Sequence, residues 1–110
     1  MGIDLYVMAE DMEKHDDIDF CSRNLASEVD VFADLGKGTL LDYVSGEDDE
    51  AFHDPKTVLD AVQKTLEMVT KMDESEFMSG KDACLQELKG MMAVIEKAVE
   101  AKVNISVTIC

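Results

Sequence analysis

The two ends of this chain read alike. Ile3, Leu5 and Val7 alternate with Asp4, Tyr6 and Met8 at the start, and Ile105, Val107 and Ile109 alternate with Ser106 and Thr108 at the finish. A period of two is that of a strand with one buried face. Two short strands at opposite termini are most simply neighbours, so the chain must return to where it began, and whatever lies between must be the cover. The expected fold is therefore a small α/β (α+β) domain, a single unit over 1–110: a two-stranded sheet from the N- and C-terminal strands, covered by three to four helices. The helices are required, because an isolated pair of strands is marginal in water. With 110 residues, 46% of them hydrophobic, the chain buries a core without staples.

Helical spacing fills the middle. Ser22 or Asn24 caps a first helix in which Leu25, Val29, Phe32 and Leu35 recur at intervals of four and three, and Gly36 ends it. Val29, Val31 and Ala33 also fit a strand's alternation, but the longer pattern favours helix. Thr39 caps a short helix with Leu40, Leu41, Tyr43 and Val44, which Ser45-Gly46 stops. Asp54-Pro55 is an N-cap followed by proline at the first helical position. From there to about Met72, Val58, Val62, Leu66 and Val69 form one stripe, with Leu59 beside it. The last helix, from about Gly80 to Lys102, stacks Cys84, Leu88, Met91, Met92, Ile95 and Val99, and Asn104 ends it. Gly90 inside that helix is a cost of about 1 kcal/mol relative to Ala, which predicts a backbone approaching closely.

Charge divides the chain. Up to Asp54 there are 16 acids and 3 bases, net −13; from Pro55 onward there are 9 acids and 7 bases, net −2. The acids concentrate in two loops, Glu10 to Asp19 and Glu47 to Asp54. Crowded carboxylates destabilise a compact state by self-repulsion, so the segregation argues for a use beyond solubility. A net charge of −15 repels duplex nucleic acid and anionic membrane and favours a basic protein partner. The candidate partner-binding residues are Asp11, Glu13, Asp16, Asp17 and Asp19 in the first loop, and Glu47, Asp48, Asp49, Glu50 and Asp54 in the second. If the loops lie within a Debye length of roughly 8–10 Å, they act as one field; if they point apart, a merely solvated surface is the better account.

Other chemistries lack a pattern. Gly36-Lys37-Gly38-Thr39 has neither the GxxxxGK(S/T) spacing nor the preceding strand of a phosphate loop. Neither acid loop has the alternate acids, central glycine and closing Glu of a calcium-binding EF-hand. His15 and His53 each sit in an acid loop without metal-ligand spacing. Cys21 has no neighbouring base except Arg23, no serine lies in an elbow motif, and the carboxylates are too many to single out an acid and a base. The expectation is no enzyme, no cofactor and no metal. Met68, Met72, Met78, Met91 and Met92 fall at or near helical stripes and read as core filling. Three cysteines, Cys21, Cys84 and Cys110, without CxxC spacing fit free thiols in a cytoplasmic protein, and Cys84 lies on the apolar side of its helix. No apolar run reaches membrane-spanning length. Gly2 follows Met1, but Tyr6 stands where a myristoylation pattern needs Ser or Thr.

The opening Met1-Gly2-Ile3-Asp4-Leu5-Tyr6-Val7, with Ser22-Arg23-Asn24 further on, resembles the start of small phage and bacterial proteins with an MGLDLY-type N-terminal strand. In size, acidity and lack of catalytic motifs the chain is also similar in type to phage-encoded inhibitors of host defence, including anti-CRISPR proteins and DNA mimics. That likeness implies carboxylates placed where phosphates sit, occupying the basic channel of a nucleic-acid-handling protein. The alternatives are an immunity protein or antitoxin that neutralises one basic toxin, and an interaction protein whose acids only solubilise it. A homodimer is also expected, because a two-stranded sheet leaves edges that pair across a two-fold axis, with Tyr6, Met8 and the C-terminal strand as candidates.

Overall fold

Leu5–Ala9 forms β1 and Ile105–Ile109 forms β5. They pair antiparallel along their full length, from Leu5 opposite Ile109 to Ala9 opposite Ile105. The structure, a computed structural model, describes residues 4–46 and 50–109; Ile3, of the expected first strand, lies outside that range. The terminal strands are neighbours, as their matching alternation predicts.

The sheet itself is larger than two strands. β2, Asp19–Ser22, pairs antiparallel with the free side of β1. On the other side of β5, β3 (Val44–Gly46) pairs parallel with Val107 to Ile109, and β4 (Phe52–His53) pairs antiparallel with Ser106 and Ile105. The result is a five-stranded mixed sheet in the order β2-β1-β5-β3, with β4 also beside β5. The three extra strands hold two to four residues each, too few to show a period of two. They form because β1 and β5 would otherwise leave rows of backbone donors and acceptors unpaired.

This topology also corrects the expected dimer edge. β1 and β5 are interior strands, so Tyr6, Met8 and the C-terminal strand offer no free ladder to a second copy.

The cover lies on one face. α3 (Pro55–Thr70) starts as the sequence predicts, with the Asp54 carboxylate accepting from the Lys56 N–H at 2.9 Å and Pro55 in the first turn. α4 (Lys81–Ala101) buries Cys84, Leu88, Met91, Ile95 and Ala98. The two helices form a hairpin joined through a 3₁₀ turn at Glu74–Glu76. Lys81 closes it by donating from Nζ to the carbonyl of Thr70, the last residue of α3, at 2.8 Å and to that of Met72 just beyond it at 2.6 Å. Leu5, Val7, Ile105 and Val107 point into the core these helices make.

The predicted helix from Ser22 to Gly36 is two helices. α1, Arg23–Ser27, is capped by Ser22, whose hydroxyl accepts from the Leu25 N–H at 3.1 Å. α2, Val29–Ala33, follows after Glu28 leaves helical geometry at φ −100°, ψ 18°. A 3₁₀ turn at Leu40–Tyr43 is fastened to α3 by the Leu40 N–H, which donates to the Thr65 hydroxyl at 2.9 Å. Val44, expected in that short helix, starts β3 instead.

The opposite face of the sheet is different. In the observed register it carries Asp19 and Cys21 from β2, Tyr6 and Met8 from β1, Ser106 and Thr108 from β5, Ser45 from β3 and Phe52 from β4. Among the described residues no helix packs there.

Gly90 has a neighbour, but not the backbone its place in a helix suggests. A Cβ added there would meet only the Phe20 ring, at 3.4 Å from Cε1, which is ordinary contact. Gly90→Ala is therefore expected to raise stability by about 0.5–1 kcal/mol through helix propensity. Gly90→Leu should lower it by about 1–3 kcal/mol by pushing on Phe20. Urea denaturation of the two variants tests this; an alanine variant less stable than wild type would contradict it.

Candidate functional site

The first acid loop is short on freedom. Ile18 is buried in the core and fixes its distal end. The His15 N–H donates to the Asp11 carbonyl at 3.2 Å, and the Ile18 N–H donates to the His15 carbonyl at 3.1 Å, so two consecutive turns shape it. At its base the Glu10 N–H donates to the Asn104 carbonyl at 2.9 Å. Glu13, Asp16, Asp17 and Asp19 are exposed on this frame, and Asp11 is half-buried beside Lys14, 3.8 Å away. Asp19 is not loop but the first residue of β2. The carboxylates therefore project from a backbone that is already ordered.

The second loop is only partly its neighbour. Glu50 is exposed, and Asp54 is exposed but committed to capping α3; Glu47, Asp48 and Asp49 lie outside the described residues. The topology fixes where this loop starts and ends. It leaves β3 at Gly46, opposite Ile109, and rejoins the sheet at Phe52, opposite Ser106, with His53 opposite Ile105. Ala9 is also opposite Ile105, on the other side of β5. The end of the second loop and the start of the first are thus two strand spacings apart, about 10 Å. Gly46 is at the far end of β5, a further four residues or roughly 13 Å along the strand.

Cations also stand at the end of the sheet where the loops approach. A cleft of about 240 Å³ there is lined by Asp54, Pro55, Lys56, Val99, Lys102 and Asn104. Lys56 and Lys102 break the acid field beside Asp54. The structure therefore brings Asp11, Glu13, Asp16, Asp17 and Asp19 together on one frame, while Asp54 shares a cleft with two lysines.

Several other acids are spent on structure. Asp4 accepts from Arg23 at 3.4 Å and from the Tyr6 hydroxyl at 3.4 Å. Asp42 accepts from the Gly38 N–H, so the backbone donor in the Gly36-Lys37-Gly38-Thr39 turn already holds a carboxylate. Asp73 accepts from the Ser75 N–H at 3.1 Å.

Glu28 is the residue that counting charge misjudges most. It stands in the acid-rich half of the sequence yet is 0% exposed. Its Oε1 accepts from the Met78 and Ser79 N–H groups at 2.8 and 3.2 Å, while Oε2 has no partner among the described residues. Those two amides lie just ahead of α4, where the helix dipole favours negative charge. The carboxylate thus ties the α1–α2 elbow to the strap between α3 and α4. The signal was available: Glu28 is three residues after Leu25 and four before Phe32, on the apolar stripe itself.

Glu28 also faces Cys84. Burial pushes the Cys84 thiol up to about 12, and the Glu28 charge adds to that. Cys84 is core, as its place on the stripe predicts, and Cys21 is exposed. Met91 is buried and Met72 and Met92 pack against the core, but Met78 is 83% exposed and is not core filling. His53 stacks edge-on with Tyr43, their ring centroids 5.2 Å apart. Among the described residues no three of His, Cys, Asp and Glu gather to hold a metal, and no helix is long and apolar enough to cross a membrane. Comparison with protein-family models, curated proteins and solved structures finds no match.

Two measurements test this buried pair. Glu28→Ala leaves two amides without an acceptor and should cost about 2–4 kcal/mol, while Glu28→Gln keeps an acceptor and should cost clearly less; equal losses in urea denaturation would contradict the role given to Oε1. The Cys84 thiol holds its proton to about 12 in the folded chain, against 9.0 ordinarily. Its contribution to stability is full below pH 9 and is lost as pH rises toward 12, because the unfolded chain gives up the proton first. Wild type should therefore lose more stability than Cys84→Val above pH 9, and parallel profiles would refute this.

Proposed function

We propose that this chain is an acidic binding protein, an inhibitor of the type phages encode, that sets its first acid loop against the basic nucleic-acid-binding surface of a host protein. The observation that carries this is the ordered backbone beneath Glu13, Asp16, Asp17 and Asp19. Three exposed carboxylates on a loop fixed by Ile18 and two turns, and a fourth on the strand that follows, lose little freedom on binding. A partner's arginines can grip such carboxylates bidentately, and the −15 charge speeds encounter with a basic surface. Glu50 precedes β4, across β5 from the strand that leads into the first loop, and contributes to the long-range field rather than to the same contact.

A second reading draws on the outer face of the sheet, where Tyr6, Met8, Ser45 and Phe52 stand beside the acids Asp4 and Asp19. A cognate basic toxin, recognised by shape as well as charge, would use both that face and the acid loop. The two readings differ in whether nucleic acid competes: a mimic is displaced by it, whereas an antitoxin that binds away from the nucleic-acid site is not.

Affinity capture from a bacterial lysate at low and high salt tests the proposal. Nucleic-acid-binding proteins should be retained at low salt and released as salt rises. Replacing Glu13, Asp16, Asp17 and Asp19 with Asn or Gln should slow association about tenfold or more while leaving the fold intact. Retention of no such protein at low salt would end the proposal.

A further inference from the structure

On one side the sheet ends at β2, the outermost strand in the order β2-β1-β5-β3. The register fixes which of its backbone groups face outward. Glu10 continues the β1–β5 pairing one step beyond Ala9 and Ile105, and its N–H donates to the carbonyl of Asn104, directly opposite, at 2.9 Å. Alternate residues of an antiparallel strand bond to opposite sides, so Met8 and Tyr6 also turn their backbone groups toward β5. Leu5 and Val7 then turn theirs toward β2, where they stand opposite Ser22 and Phe20. The backbone of Phe20 and Ser22 is therefore spent on β1, and Asp19 and Cys21 aim their N–H and C=O groups away from the sheet.

This edge is open. Among the described residues no strand lies beyond β2, and no turn or cap bonds to the Asp19 or Cys21 backbone. Asp19 and Cys21 are exposed, whereas Phe20 is half-buried and Ser22 buried. The nearest helix reaches β2 from the core side, where the Phe20 ring lies beside Gly90 of α4. An open edge is a template for one more strand, and proteins normally blunt it. The opposite edge is blunted by length, since β3 holds three residues and β4 two. β2 holds four and carries charge of one sign at its entry: Asp19 is its first residue, with Asp16 and Asp17 just before it, all exposed. At its far end the chain turns into α1 at Arg23, which is paired with Asp4 at 3.4 Å.

We propose that β2 receives an extended, Lys- and Arg-bearing segment of the partner protein as a sixth strand. The inference rests on the reading of the chain as a binder of a basic protein, and adds which element is used and what conformation the partner brings. Main-chain bonds to Asp19 and Cys21 hold the segment whatever its side chains, and alternate side chains of the segment fall on the face that Asp19 occupies. Charge selects those side chains, because a cation there meets Asp19 and the end of the acid loop. A helix of the partner offers nothing to this ladder, its own backbone groups being bonded internally. A second copy of this chain would bring the same acids and a further charge of −15 to the edge, which opposes self-pairing.

Amide hydrogen exchange of the intact protein, read residue by residue by NMR at low salt, tests this. In the free protein the Phe20 and Ser22 amides should exchange slowly and the Asp19 and Cys21 amides fast. Two synthetic probes are then added: a peptide of about seven alternating Lys and Thr residues, roughly 23 Å when extended, and the same peptide N-methylated at every backbone amide, which keeps the charge and removes the donors. Binding of each is followed separately by fluorescence anisotropy. The plain peptide should slow exchange at Asp19 and Cys21 about tenfold at about ten times its Kd, and the methylated peptide should slow neither. Cys21→Pro removes one outward N–H and leaves the β1 ladder intact; it should weaken binding of the plain peptide only.

If both peptides bind and the Asp19 and Cys21 amides stay fast, or slow equally with both, the acids recognise charge alone; strand addition is then refuted while the function reading stands. If neither peptide binds at low salt, both fall. If the two amides are already slow in dilute free protein, or slow as protein concentration alone rises, the edge is closed or belongs to a second copy and the proposal is overturned.

Discussion

Four of the five strands meet at β5, and the fifth, β2, hangs from β1. The last residues of the chain therefore supply the ladder that makes a sheet out of pieces of two to five residues. β3 and β4 have no other strand partner among the described residues, so their backbone donors and acceptors depend on Ile105–Ile109 being in place. The β1–β5 pairing joins residues about a hundred positions apart, and its loop-closure cost must be met before any of it is returned. The apolar stripes of α3 and α4, packed on Leu5, Val7, Ile105 and Val107, are what offset that cost.

Glu28 performs a second kind of joining. A carboxylate fully out of water is costly unless charge-assisted hydrogen bonds compensate it, and here two backbone amides ahead of α4 do so. The same contact explains why the first helical segment is broken. A continuous helix across Ser22 to Gly36 would keep its i→i−4 ladder, whereas the observed elbow at Glu28 sets the carboxylate against Met78 and Ser79. Local helix propensity yields to a tertiary bond.

The acids consequently divide into classes that net charge does not separate. Asp4, Asp42, Asp54 and Asp73 accept local hydrogen bonds or ion pairs, Glu28 is interior, and Glu13, Asp16 and Asp17 on the first loop and Asp19 at the start of β2 are exposed. The effective acidic surface is smaller and more sharply placed than the −13 of the first half implies. It borders the outer face of the sheet, where Asp4 accepts from the Tyr6 hydroxyl and pairs with Arg23.

By itself the sequence determined that the termini are adjacent strands, that Asp54-Pro55 and Ser22 begin helices, and that α3 and α4 bury single stripes. Each of these follows from a periodicity or a cap written in consecutive residues. Only the tertiary structure decided that β2, β3 and β4 exist, because segments of two to four residues take their conformation from the ladder they join rather than from their own pattern. It also decided which acids face solvent. Glu28 and Asp17 carry the same carboxylate eleven residues apart, but one sits where a stripe points inward and finds two amides there, and the other sits on a loop whose buried residue is Ile18. Whether a carboxylate is a surface charge or an internal tie depends on what the rest of the chain brings to it.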